Sequence, residues 1–272
     1  LVDDADRRPL GDPVERCLAM RRRVNMGRRA VMVSASGEQE HSVEITASPV
    51  KGPRNSISGT VVVFHDVSEL RGLTQKMSYQ ATHDPLTGLI NRREFERRLD
   101  EAMDSAHAEE AVHMLFYMDL DRFKAVNDTC GHLAGDNMLR EVAVLIRNEV
   151  RDSDFVGRLG GDEFGSLLIG CPIEKARQIA TDICNAVSGY RFVWKDKIFN
   201  IGVSIGLVEI SHASGTLQDV LSAADSACYM AKQQGRGQVH IYSARDEAVA
   251  TERGDIQWLR QLQTALHEDG FE

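Results

Sequence analysis

The sequence predicts an α+β fold in which helices pack on a mixed β-sheet, and three observations support this prediction. From His83 onward, short apolar runs typical of strands alternate with segments whose apolar residues recur at helical spacing. Residues 1–66 instead contain three strand-like runs separated by Gly, Asn, Ser or Pro, which indicates an antiparallel sheet. The 272 residues are 42% hydrophobic, enough for a sizeable core, and no apolar run is long enough to cross a bilayer.

Residues 1–66 are predicted to form a short helix followed by the antiparallel sheet. Asp12 is placed to cap a helix that begins at Pro13. The strand-like runs are Arg29 to Ala35, His41 to Pro49 and Gly59 to Asp66. This layout, with the closing stretch Val61 to Glu69, resembles the C-terminal part of a PAS sensor domain.

Residues 67–82 are predicted to form a helix that leads into the second part of the chain. Five residues fall at the alternating spacings of a coiled-coil seam: Val67, Leu70, Thr74, Met77 and Ala81. Two heptads are short for a coiled coil, and a connector helix packed on its own sheet fits the pattern equally well. A coiled coil here would pair two copies of the chain.

Residues 83–245 carry the alternating patterns of the mixed sheet. Helices are predicted over Asn91–Ala108, Leu133–Val150, Ile173–Val187 and Thr216–Gln234. Strands are predicted over Ala111–Leu120, Phe155–Leu159, Glu163–Ile169, Arg191–Trp194 and Ile198–Ile210. Gly160 and Gly161 are expected to form a hairpin turn between two of these strands.

Composition excludes some partners. The formal net charge of −9 argues against nucleic acid, because binding to its backbone needs clustered Lys and Arg. The five cysteines form no CxxC pair, which favours reduced thiols in a cytoplasmic protein. We expect no membrane contact in this chain. Because it starts at Leu1, we expect it to be a piece of a longer protein, with any membrane anchor upstream.

Four carboxylates stand where apolar strands give way to turns. Asp119 and Asp121 end one strand, and Asp162 and Glu163 follow the two turn glycines. Neighbouring strands would gather them into the hard oxygen ligands that Mg²⁺ prefers, next to a turn that a triphosphate can approach closely. A single Asp at a strand end more often starts a turn, so this interpretation depends on the combination.

Several spaced motifs follow one another in this segment. They are Asp84-Pro85-Leu86-Thr87-Gly88-Leu89 with Asn91-Arg92-Arg93, Asp119-Leu120-Asp121-Arg122-Phe123-Lys124 with Asn127-Asp128, Gly131-His132 with Gly135-Asp136, Gly160-Gly161-Asp162-Glu163-Phe164, and Ala223-Ala224-Asp225 with Tyr229, Ala231-Lys232 and Gly235-Arg236. Over roughly residues 80–243 this set resembles the GGDEF family of diguanylate cyclases, and a chance match of so many spaced motifs is negligible.

The resemblance implies a ferredoxin-like sheet similar to the palm of nucleotide cyclases. It implies that Asp119, the carbonyl of Leu120 and Asp162 bind Mg²⁺, with Mn²⁺ as the alternative. Glu163 would add carboxylate charge. Asp162, or a metal-bound water near it, would accept the proton of the attacking hydroxyl.

The resemblance also assigns contacts with GTP. Asn127 and Asp136 would bond the guanine edge, while four other residues would contact the phosphates: Phe123, Lys124, Lys232 and Arg236. Taken singly, Asn127 is equally well a turn cap, Asp136 a helix-start acid, and the two distal cations a solvated helix end.

A second site is implied by Arg151 and Asp154. They form an Arg-x-x-Asp pair with five residues between Asp154 and Gly160, which is the position of the family's inhibitory product site. Arg151 would bond a guanine Hoogsteen edge or a phosphate, and Asp154 would accept the Watson-Crick donors of cyclic di-GMP.

The function that the resemblance implies is synthesis of cyclic di-GMP from two GTP by a homodimer. The PAS-like segment and the helix at 67–82 would join the two protomers and regulate them. Residues 246–272 resemble the connector to an EAL phosphodiesterase domain. Two alternatives stay open: a silent GTP-binding module that regulates such a phosphodiesterase, and a sensory dimerisation module.

Overall fold

The computed structural model describes residues 1–27, 30–34, 39–53, 56–109 and 111–243. The predicted connector at 246–272 lies outside these ranges. The chain divides into two compact units, Leu1–Tyr79 and Gln80–Glu272, which we describe separately. Across the described residues, no helix combines the length and the hydropathy needed to cross a lipid bilayer.

The first unit contains the predicted antiparallel sheet. Its elements are β1 (Val2–Asp3), α1 (Pro13–Met20), β2 (Val24–Asn25), β3 (Ala30–Val33), β4 (Glu40–Lys51) and β5 (Ile57–Asp66). The strand order is β1-β3-β4-β2, and β5 also pairs with β4. The predicted cap is confirmed, since the Asp12 side chain accepts a 2.7 Å bond from Val14 N. Arg29 and Ala35, the ends of the first predicted strand, lie outside the described residues.

Helix α2 (Ser68–Thr82) forms where the sequence predicts it. Two of the predicted seam residues, Leu70 and Met77, are 61% and 69% exposed. The connector interpretation requires these side chains to pack on a sheet. Their exposure shows that they do not.

The second unit is a mixed sheet with helices on both faces. Its elements are β6 (Ile90–Asn91), α3 (Arg92–Glu109), β7 (His113–Asp121), α4 (Phe123–Cys130), α5 (His132–Asn148), β8 (Phe155–Gly160), β9 (Glu163–Leu168), α6 (Ile173–Gly189), β10 (Arg191–Trp194), β11 (Lys197–Asn200), β12 (Gly202–Ile210), α7 (Leu217–Gln233) and β13 (Val239–Ile241). The six-stranded sheet has the order β13-β12-β7-β9-β8-β6. The β12–β13 and β6–β8 pairs are parallel and the other pairs are antiparallel.

The central strand β7 divides the core into two clusters. Even-numbered residues such as Phe116 pack with α5 and α6, while odd-numbered ones such as Leu115 pack with α3 and α7. Helix α7 lies directly on β12, because a Cβ added to Gly206 would come within 2.2 Å of the carbonyl oxygen of Ala224. Asp119 is one of the odd-numbered residues of β7, so its carboxylate lies on the face that α7 covers.

Two local predictions are wrong. Residues 123–130 form α4 rather than a loop around the phosphates; the helix is held by the burial of Phe123 and Val126. The strand predicted over 198–210 is two strands, because β11 pairs only with β10 in a separate hairpin and the buried Ile201 lies between β11 and β12. The five cysteines form no disulfide in the described part of the chain, and four of them are buried.

Candidate active site

Asp119 is the most strongly perturbed carboxylate at the end of β7. Its Oδ2 lies 2.6 Å from Nζ of Lys232, and both side chains are largely buried. Burial raises the pKa of Asp119, the Lys232 ammonium opposes this, and the nearby Asp162 and Glu163 carboxylates raise it further. The strand end is therefore a place where negative charge is concentrated and an additional cation would be stabilised.

The glycine turn brings the second pair of carboxylates to the same place. Glu163 is the register partner of Asp119, and Leu120 N donates a 3.2 Å bond to the carbonyl of Asp162. In the described part of the chain, no three His, Cys, Asp or Glu side chains are close enough to hold a metal ion by themselves. The predicted set of two carboxylates and the Leu120 carbonyl is compatible with this, because phosphate oxygens and water complete the shell of Mg²⁺.

Asp121 has a structural role that the sequence does not reveal. Its carboxylate is buried and accepts 2.9 Å bonds from Ser204 Oγ and from Gly237 N. It thereby fixes the turn after α7 against the strand end. Each oxygen of Asp121 accepts one of these bonds, and the side chain therefore supports the turn.

The residues predicted to bind guanine lie at the junction of α4 and α5. The Oδ1 atom of Asn127 is buried and has no hydrogen-bond partner among the described residues. Gly135 leaves the room that this amide occupies, because a Cβ there would lie 2.0 Å from Oδ1. Asp136 follows and is half-buried. Buried polar atoms are nearly always bonded, so an unpartnered Oδ1 indicates a missing donor such as a base N–H.

The residues predicted to bind phosphate surround the same strand end. Phe123 is buried and Lys124 exposed in the first turn of α4, whose amides follow the strand end directly. Arg236 is exposed, with its backbone in the left-handed region at φ 64°. The structure places Lys232 on Asp119, so its contact with phosphate stays a prediction.

Comparison with known proteins decides the family. Residues 81–238 match the model of the family described as diguanylate cyclase, GGDEF domain. The chain belongs to the GGDEF family.

Its relatives include cyclases and a phosphodiesterase. The probable diguanylate cyclase DgcE of Escherichia coli strain K12 is 42% identical over 80% of this chain and 20% of its own length. The cyclic di-GMP phosphodiesterase PdeB of Shewanella oneidensis is 33% identical over 84% of this chain and 26% of its own. The chain therefore spans about a quarter or less of these relatives.

Solved structures share the fold. The coiled coil and GGDEF domain of DgcB from Caulobacter crescentus, in complex with c-di-GMP, is 30% identical with a TM-score of 0.60, covering 64% of this chain and 93% of that one. The GGDEF domain of TpbB from Pseudomonas aeruginosa is 36% identical with a TM-score of 0.59, covering 62% and 99%. The predicted α+β cyclase-like fold is confirmed.

Sequence reasoning missed two residues of this GGDEF site. Arg158 lies on β8 and donates through Nε and Nη2 to the carbonyl of Gly161, at 3.0 and 2.7 Å. Tyr117 lies two residues before Asp119 and hydrogen-bonds Glu163, and burial with this contact raises its pKa. Tyr117 carries no local pattern because Glu163 lies on another strand, and the bond of Arg158 depends on the shape of the turn between β8 and β9.

The predicted inhibitory pair lies at the start of β8, with Asp154 buried and Arg151 exposed. Asp154 Oδ2 accepts from Arg151 N and Oδ1 accepts from Ile169 N, each at 3.2 Å. The carboxylate thus holds its own turn, while the Arg151 guanidinium extends outward. Product binding by this pair stays a prediction.

Proposed function

We propose that this chain is a diguanylate cyclase that converts two GTP into cyclic di-GMP and two pyrophosphates. The observation that carries the proposal is the meeting of Asp119, Asp162 and Glu163 with Lys232 at one end of the sheet. Membership of the GGDEF family supports it.

Each of the two bonds forms when the 3′-oxygen of one GTP attacks the α-phosphorus of the other and pyrophosphate leaves. Asp162 would accept the hydroxyl proton. Lys232 would move from Asp119 to the phosphates, which the first-turn amides of α4 would also bind. Mg²⁺ or Mn²⁺, held by Asp119, the Leu120 carbonyl and Asp162, would neutralise phosphate charge.

Selection of guanine would depend on Asn127 and Asp136. Guanine presents the N1–H and N2–H donors that a carboxylate or the unpartnered Asn127 oxygen accepts. Adenine has no amino group at C2 and an acceptor at N1, so it would leave these oxygens unsatisfied. Such mismatches at buried polar groups discriminate strongly between substrates.

Activity would need two copies of the chain, because each domain would hold one GTP. Helix α2 supports this through its exposed Leu70 and Met77, which fit a seam between two copies. The related DgcB structure is described as a coiled coil and GGDEF domain. The PAS-like first unit would then control how the two domains meet.

Product inhibition is the second regulatory proposal. Arg151 is exposed at a rigid turn that Asp154 holds by two backbone bonds. Two DgcB structures are described as complexes with c-di-GMP. The product would bind Arg151 through a guanine edge or a phosphate.

The second candidate function is a GTP-binding module that regulates a phosphodiesterase. The similarity to PdeB favours it. Both functions use the same contacts with GTP. They differ in whether two domains, each with bound GTP, come together to react.

Incubation with GTP and Mg²⁺, followed by chromatography of the nucleotides, distinguishes them. Formation of cyclic di-GMP at a rate that rises faster than linearly with protein concentration supports a dimeric cyclase. The variant Asp162→Ala, with retained circular dichroism, should make none. GTP that is bound but unconverted at high protein concentration would favour the regulatory module.

A further inference from the structure

A groove of about 560 Å³ opens beside Asp121, within the second unit. Its walls come from the turn after α7, the ends of α6 and β11, and the start of β10. The lining residues that matter here are Arg122, Arg191, Arg236 and Asn200.

The groove is strongly basic. Asp121 is the one acidic residue among the described residues that line the groove, and its buried carboxylate is already bonded by Ser204 and Gly237. Within the described ranges, the three arginines form no ion pair, whereas Arg147 and Arg158 of the same unit do. Three arginines that line one groove make its potential positive, so an anion in the groove would be stabilised.

Two of the arginines are held in an unusual backbone conformation. Arg122 and Arg236 have φ values of 63° and 64°, in the left-handed region. Residues other than glycine seldom adopt this region, so the surrounding structure must hold both arginines in place. Asp121 neighbours Arg122 and bonds the residue after Arg236, so one carboxylate positions both.

The groove shares a residue with the proposed phosphate site. Arg236 lines the groove and is also a proposed phosphate ligand, and it follows Lys232 by four residues. We propose that the groove binds the leaving pyrophosphate, with Arg122 and Arg191 as ligands that extend the contacts beyond Arg236; this rests on the proposed cyclase function. Planar guanidinium groups bind adjacent phosphates through paired hydrogen bonds, which suits a diphosphate better than a monovalent anion.

Calorimetric titration of the whole chain with sodium pyrophosphate tests the proposal. The variants Arg122→Gln and Arg191→Gln should each weaken binding about tenfold, the loss expected for one charge-assisted contact. Arg177→Gln, which removes an exposed arginine of α6 outside the groove, is the matched control and should bind like the wild type. Unchanged melting temperatures exclude misfolding.

Three outcomes would overturn the proposal. One is equal pyrophosphate affinity in all variants. Another is a loss confined to Lys232→Gln, which would place pyrophosphate at Asp119 only. The third is equally tight binding of sulfate at matched ionic strength, which would make the groove a general anion patch. If no variant or wild type makes cyclic di-GMP but the pyrophosphate pattern holds, the groove stands and the cyclase proposal fails.

Discussion

The guanidinium of Arg158 forms a largely buried ion pair with the carboxylate of Asp84, with Nη1 3.3 Å from Oδ2. The same guanidinium holds the carbonyl of Gly161. Although burial opposes it, hydrogen bonds from Thr87 and the Arg158 charge hold the pKa of Asp84 below its ordinary value. Arg158 therefore joins the turn that follows α2 to the turn that carries Asp162.

The first prediction concerns this link. Arg158→Lys should lower kcat about tenfold with a smaller change in KM, because an ammonium cannot make both contacts and the glycine turn would lose its support. Initial rates of cyclic di-GMP formation measure the effect. Arg93→Lys, an exposed change at the start of α3, is the control. Equal kcat for Arg158→Lys and wild type would refute the positioning role.

Lys232 gives the second prediction. Lys232→Gln should lower kcat/KM for GTP about 100-fold, because it removes a cation aimed at developing phosphate charge. Lys175→Gln, an exposed lysine on α6, should have wild-type kinetics. A change in KM alone, with kcat retained, would mean that Lys232 only contributes to ground-state binding.

Gly135 gives the third prediction. Gly135→Ala would force the Asn127 amide aside, since the added carbon would lie 2.0 Å from its Oδ1. GTP should bind more weakly while ATP affinity stays low and unchanged, so the preference measured by fluorescent-nucleotide competition should fall. Gly59→Ala, where no atom lies within 4 Å of the added carbon and which lies in β5 of the first unit, serves as the control. Retained guanine preference in Gly135→Ala would argue against recognition by Asn127.

The inhibitory site gives the fourth prediction. Arg151→Ala should raise the concentration of cyclic di-GMP needed for half inhibition, while initial rates without product stay unchanged. Asp152→Ala is the matched neighbour, because Asp152 is fully exposed and pairs only with Arg147 among the described residues. Unaltered inhibition in Arg151→Ala would remove this site.

The fifth prediction is a pH effect on stability. Hydrogen bonds from Arg97 and Arg98, which outweigh the effect of burial, lower the pKa of Glu94 from its ordinary 4.5 to about 2. A lowered folded-state pKa adds stability that is complete above pH 4.5 and is lost as the pH falls toward 2. Glu94→Gln should cost less than about 1 kcal/mol at pH 7, because the Arg97 and Arg98 side chains are 47% and 37% exposed and solvent screens both ion pairs.

Urea unfolding at pH 7 and at pH 2.5 measures that difference. The gap between wild type and Glu94→Gln should shrink at the lower pH, and Glu141→Gln, at an exposed glutamate of α5, is the control variant. A gap that grows on acidification would contradict the assigned direction.

Most strands and helices could be predicted because their burial pattern is local. The apolar run of β7 and the cap of α1 are visible within a few residues. Helix α4 could not, since Asn127, Asp128 and Thr129 favour turns and Arg122 provides no side-chain cap. Its stability comes from Phe123 and Val126 packing on the sheet, which is a tertiary effect.

The candidate site also contains residues that local sequence predicts and contacts that it does not. Asp119, Asp162 and Lys232 stand in motifs and were predictable, although the ion pair between the first and last of these was not. Arg158 bonds a carboxylate 74 residues away, and Asp121 bonds residues 83 and 116 positions away. No periodicity or spacing encodes contacts of that range.

The absence of a side chain at Gly206 lets the backbone of α7 rest on the sheet. The height of that helix decides how far the Lys232 ammonium reaches, although Gly206 itself would touch neither nucleotide nor cation. A larger residue there would lift the helix and withdraw the ammonium from Asp119, with the Gly160 to Phe164 signature left intact. An unaltered signature is thus insufficient to tell a working cyclase from a silent one. The residue at position 206, on which α7 packs, should be inspected as well.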